Sequence, residues 1–90
     1  MNKQELINTM KETGKLRRVE AERGLNAFIE VVKNALIEGE RVVIRGFGTF
    51  YVVERKERKG RNPLTGEAII IPGKKVVKFK PSKEIKRLIR

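Results

Sequence analysis

Twenty of the ninety residues, Val52 to Ile71 (VVERKERKGRNPLTGEAIII), alternate like two β-strands around a Gly-Arg-Asn-Pro tip, yet carry more charge than apolar bulk. Such a ribbon builds no core. It leaves roughly seventy residues to form one, and a core of that size rarely supplies more than about 3–5 kcal/mol. Small chains make up the deficit with disulfides, a metal site or oligomerisation. The sequence has no Cys and no His, which excludes disulfides and argues against zinc. Oligomerisation remains. One domain over residues 1–90 is expected, with the ribbon as an arm over about residues 53–76.

The charge names the class of partner. Lys and Arg number 22 against 11 Asp and Glu, a net charge of +11 and a pI near 10.5. A concentrated surplus of this kind suits a polyanion, nucleic acid before an anionic membrane. No apolar stretch approaches the roughly 18 residues of a membrane span. The N-terminus lacks the apolar run of a secretory signal, so a cytoplasmic location is expected.

Asn2 and Glu5 have the spacing of a capping box ahead of Leu6, Ile7 and Met10, which predicts a helix over about residues 3–13 ended by Gly14. A longer amphipathic pattern runs through Val19, Leu25, Phe28, Ile29, Val32 and Leu36 to Gly39. Gly24 inside it costs roughly 1 kcal/mol relative to Ala, which points to tertiary support and a close helix contact there. From Arg41 the period becomes two. Arg41–Arg45 reads as a strand, Gly46-Phe47-Gly48 as a turn, and Thr49–Val53 as the return that runs on into the arm. Beyond the tip, Glu67–Ile71 is strand-like, Pro72-Gly73 interrupts, and Lys75–Lys80 is a further strand. Pro81 ends it, Ser82 caps a last short helix, and Ile85, Leu88 and Ile89 form its apolar stripe. The fold class is α+β, in the order α-α-β-β-β-α, with three antiparallel strands and a long hairpin arm. Phe28, Phe47, Phe50 and Phe79 exceed what these elements can enclose, so they are expected in the core of a two-fold, intertwined dimer.

An isolated hairpin is marginally stable in water. This one presents Arg55, Lys56, Arg58, Lys59 and Arg61 against Glu54, Glu57 and Glu67. Alternation places Arg55, Lys59 and Arg61 on one face and Lys56 and Arg58 on the other, if no bulge intervenes. Such an arm suits a groove of duplex DNA in width and charge.

Three runs, GFGTF at 46–50, RKERKGRNPLTGE at 55–67 and VVKFKPSK at 76–83, resemble the bacterial HU and integration host factor family, most of all HU. The resemblance spans essentially the whole chain. It implies a nucleoid-associated architectural protein that works as a homodimer and bends and compacts double-stranded DNA through the minor groove. In that family apolar wedges kink the duplex. The resemblance makes Pro63 the intercalating wedge, an apolar, rigid residue without an N–H to orphan. It implies groove and phosphate contacts for Arg55, Arg58 and Arg61, with Asn62 beside the wedge. By the same resemblance Gly46 and Gly48 look like the turn where DNA approaches the backbone. Lys3, Lys80, Ser82 and Lys83 stand at helix starts that suit phosphates, and Arg45 and Lys75 complete the DNA-binding set. The chain departs from the family at Ser82, where Gly is usual, at Arg45, where HU is often apolar, and at Asn26, where an acidic residue can hold Lys3.

Little sequence preference is implied, with bent, nicked or mismatched sites favoured because unstacking them costs less. The alternatives are a subunit of heterodimeric, sequence-preferring integration host factor and a small basic RNA-binding protein. The deep, narrow major groove of A-form RNA would not admit the arm, and the chain has no aromatic pattern of an RNA-recognition motif. Without His, Cys or clustered carboxylates no acid–base or nucleophilic chemistry is expected. Neither an enzyme, a cofactor, a metal nor a small-molecule substrate is implied.

Overall fold

The structure, a computed structural model, describes residues 1–89. Its elements are α1 (Lys3–Gly14), α2 (Arg18–Ile37), β1 (Val42–Ile44), β2 (Gly48–Arg55), β3 (Arg58–Arg61), β4 (Ala68–Ile71), β5 (Lys74–Pro81) and α3 (Lys83–Leu88). The described residues fall into two compact units, one over residues 1–34 and one from residue 35 onward.

In the first unit, Asn2 accepts a hydrogen bond from the Glu5 N–H at 2.9 Å, the first half of the expected capping box. The end of α1 lies one residue later than the sequence suggests. Gly14 is helical and Lys15 takes the left-handed turn, with φ 52° and ψ 47°. The Leu16 N–H reaches back to the Lys11 carbonyl at 2.9 Å, closing a Schellman motif. A Cβ on Gly14 would lie 3.2 Å from the Leu16 side chain, so this glycine gives Leu16 room instead of supplying the turn. The Glu20 carboxylate accepts from the Arg17 N–H at 2.8 Å just ahead of α2. Ile7 of α1 packs with Ala21 and Leu25 of α2, with Met10 against them. Outside that contact the Arg18 guanidinium donates to both Asn8 and Gln4, which lie four residues apart on α1. Gly24 has open space around it within this chain, so the close contact expected there is not made by α1. The last residues of α2 belong to the second unit, where the helix ends as its glycine predicts: Gly39 has φ 77°, and the Glu40 N–H bonds the Ala35 carbonyl at 2.8 Å.

The second unit holds the sheet, with strand order β1-β2-β5, all antiparallel. The β1–β2 connection is tight. The Phe47 N–H bonds the Ile44 carbonyl at 3.0 Å and Gly46 sits third with φ 80°, the pattern of a type II turn. Phe50 opposes Phe79 and Val52 opposes Val77, which gives one sheet face its apolar side chains. Phe47 joins them, its ring centroid 5.3 Å from that of Phe79, and Phe50 lies 4.8 Å from Phe79. The aromatic cluster is incompletely covered: Phe47 is 44% and Phe79 40% exposed. The arm emerges where β2 and β5 outrun β1. Its outer part, β3 paired with β4, is a separate two-stranded ladder.

Candidate nucleic-acid interface

A polyanion needs cations on one surface, and strand pairing decides which cations those are. Thr49 opposes Lys80, Tyr51 opposes Lys78 and Arg55 opposes Lys74. All six point away from the phenylalanine face, since side chains alternate along a strand. The Arg41 guanidinium stands 5.9 Å over the Tyr51 ring, which positions a further cation beside this face. Nothing local in the sequence marks Arg41, Thr49, Tyr51, Lys74 and Lys78 as part of this face. The usable signal was parity relative to Lys80, but it requires the β2–β5 register.

Next to this face a hollow of about 300 Å³ brings together Arg45, Gly46, Gly48, Thr49, Lys80, Ser82 and Lys83. All six candidates expected around the turn and the start of α3 are therefore neighbours. Their roles differ. Gly48 is buried, and a Cβ there would lie 2.5 Å from the Phe79 ring and 2.6 Å from the Lys80 carbonyl oxygen. Packing from beneath accounts for that glycine without any approaching ligand. Gly46 is exposed, and only the end of the Glu84 side chain, at 3.1 Å, meets the space its Cβ would fill. Ser82 caps α3: its Oγ accepts from the Ile85 N–H at 3.3 Å, and its own N–H bonds the Phe47 carbonyl at 2.9 Å. With only six residues, α3 has a weak terminal dipole. The charges of Lys80, Lys83 and Arg45 dominate here. Lys3, the first residue of α1, is exposed and belongs to the other unit.

The arm departs from simple continuity at Lys56-Glu57 and Pro72-Gly73. Arg55 opposes Lys74 before the gap, and Arg58 opposes Ile71 after it. Two residues on each strand span the interruption, so no extra residue is inserted and one register runs through. Arg55, Lys59 and Arg61 accordingly share parity, as the sequence suggests in the absence of a bulge. Pro72 has no N–H to offer the ladder. At Gly73 the strands close up, for a Cβ would lie 2.6 Å from the Arg55 carbonyl oxygen and 3.0 Å from the Glu57 nitrogen. Arg55, Lys56, Arg58 and Lys74 line a hollow of about 410 Å³ at this arm base. Lys75 opposes Glu54 and is exposed.

The tip is a defined loop. The Asn62 N–H bonds the Glu67 carbonyl at 2.8 Å, and the Gly66 N–H bonds the Asn62 carbonyl at 2.8 Å. The Asn62 Oδ1 accepts from the Leu64 N–H at 2.9 Å, an Asx turn that encloses Pro63. Gly66 supplies a positive φ of 75°. Asn62 therefore has a structural role in ordering the loop on which Pro63 is exposed.

Comparison with known proteins accords with this geometry. The family profile described as "Bacterial DNA-binding protein" matches residues 1–90. The chain belongs to that family. Its relatives include the DNA-binding protein HU of Geobacillus stearothermophilus, 46% identical over 90 residues and covering all of both chains. The HU protein of Clostridium pasteurianum is 52% identical over 86 residues, which are 96% of this chain and 94% of that protein. Among solved structures, the HU chain of an Anabaena HU–DNA cocrystal superimposes with a TM-score of 0.84 at 36% identity, covering 99% of this chain and 97% of that one. HU from Thermotoga maritima gives 0.70 at 27% identity over the full length of both. Among the described residues no helix is long and apolar enough to cross a membrane.

Proposed function

We propose that the chain is a single HU-like domain over residues 1–90 and an architectural protein of the bacterial nucleoid. As a homodimer it binds, bends and compacts duplex DNA through the minor groove with little sequence preference. The carrying observation is the arm, one register from Gly48–Pro81 out to the Asn62–Glu67 bond, with Arg55, Lys59 and Arg61 on a common side and Pro63 exposed at its end. The Anabaena HU chain crystallised with DNA supports the same reading. The relatives named above are HU proteins, which favours a homodimer over a subunit of integration host factor.

In this reading Pro63 enters a base step and kinks it. Arg55, Arg58 and Arg61 follow the groove and its phosphates, and Asn62 holds the tip loop. Arg45, Gly46, Lys80, Ser82 and Lys83 form the floor on which the duplex rests, with Thr49, Lys78 and Lys74 continuing its charge. Lys3 and Lys75 take outlying phosphates. Gly48 acts from below by seating Phe79. Phe28, Phe47, Phe50 and Phe79 form the dimer core. No step is catalytic, and the location is cytoplasmic, on the chromosome. Nicked, mismatched and bent duplexes bind best because they lose less stacking at the kink.

The test is titration of a duplex at several salt concentrations, with bending followed by energy transfer between its ends. The expected result is a log–log salt slope for roughly 6–10 phosphate contacts and a shortened end-to-end distance. A flat salt response on an unbent duplex would overturn the reading.

A further inference from the structure

Leu64 is 93% exposed, more than any other large apolar side chain among the described residues. Solvated leucines are common on protein surfaces, but this one follows Pro63 on an ordered loop. Its own N–H is fixed on the Asn62 side chain, and the Asn62 N–H and carbonyl close the loop on either side. The segment bearing it ends a ribbon whose side chains include Arg58, Lys59 and Arg61. A partner reaching this tip must therefore be anionic along the ribbon and apolar at its end. Duplex DNA opened at a base step meets both requirements, since phosphates flank a groove walled by sugars and floored by base edges.

We propose that Leu64 is the second half of the apolar tip and sets the base composition beside the kink. The inference rests on the minor-groove reading above. When Pro63 enters a step, Leu64 lies on the groove floor of the adjoining base pair. There a G·C pair presents the guanine N2 amino group, whereas an A·T pair presents only acceptors. An isobutyl group offers the amino group no acceptor and strips it of water, an uncompensated polar burial. A·T beside the kink is therefore preferred, and the preference belongs to Leu64 and not to Pro63.

The test compares the full-length parent, Leu64→Gln and Leu64→Met on nicked duplexes with A·T, G·C or inosine·C beside the nick. Inosine lacks only the N2 amino group of guanine. For the parent, A·T and inosine·C should bind about tenfold better than G·C, equivalent to about 1.4 kcal/mol. Leu64→Gln should lose most of that discrimination with an unchanged salt slope, because no phosphate contact is removed. Leu64→Met should keep it. At this exposure none of the substitutions disturbs the fold. Equal discrimination by parent and Leu64→Gln, in proteins that still bind and bend DNA, overturns this proposal alone. Failure of the parent to bend any duplex overturns the reading beneath it as well.

Discussion

Lys15 carries the only positive φ of a non-glycine residue among those described, 52°. Left-handed backbone costs a residue with a Cβ about 1–2 kcal/mol. Lys15→Gly should therefore raise stability by about 1 kcal/mol, less than the full relief because glycine also gains freedom in the unfolded chain. The midpoint of urea unfolding measures it. Gly48→Ala should act in the opposite sense. Its methyl group meets the Phe79 ring at 2.5 Å and the Lys80 carbonyl oxygen at 2.6 Å, and backbone cannot swing aside. A loss of about 2 kcal/mol is expected from such overpacking, measured the same way. The two positions also mark the limits of reading one residue at a time. Gly14 looks like the helix terminator because glycine usually is one, and only the Leu16 contact reveals its other use. Gly48 looks like a turn glycine because its crowding comes from Phe79, thirty-one places along the chain.

Elements were more legible than residues. The change of period at Arg41, the Asn2 cap and the Gly39 stop each rest on local physics, and each lies where the sequence places it. The far face of the sheet was not legible, because Thr49, Tyr51 and Lys78 become co-facial with Lys80 only through a nonlocal register. At this scale the arm can be tested apart from the body. Gly73→Ala places a methyl group 2.6 Å from the Arg55 carbonyl oxygen, so the arm base must spread. Amide exchange should quicken in β3 and β4 while protection of β1 and α3 is retained, and DNA affinity should fall. Grip and wedge separate by mutation too. Arg58→Ala or Arg61→Ala should weaken binding to every duplex and reduce the salt slope by about one. Pro63→Ala should keep the slope, bend intact duplex less, and lose preference for nicked sites. A proline variant that bends as sharply as the parent would make Pro63 a turn residue only.

For the whole molecule, the apolar inventory decides. Among the described residues only Ile7, Ala21, Leu25 and Val32 are buried hydrophobics, while Phe28, Ile29, Phe47, Val77 and Phe79 stand between 40% and 61% exposed. In the proposed dimer a second copy would cover them and make folding and association one process, so the thermal midpoint should rise with protein concentration. A constant midpoint with a monomeric mass would count against the dimer. The deficit was visible beforehand in the long ribbon and the missing cysteines, whereas which side chains lie open had to come from the pairing of β2 with β5. In the proposed dimer two chains at +11 each would bring +22 to the duplex, and past the break at Pro72-Gly73 each arm presents Arg58, Lys59 and Arg61 against Glu67 alone. That break bears on the protein's lifetime. Outside it, two four-residue strands hold Arg58, Lys59 and Arg61 in a ladder of their own, and opening so short a ladder requires little of the body to unfold. Trypsin should cut the free protein there first and leave the DNA-bound protein whole. A cell protease of similar taste would then remove only copies without a duplex to hold, matching the supply of this protein to the length of chromosome it covers.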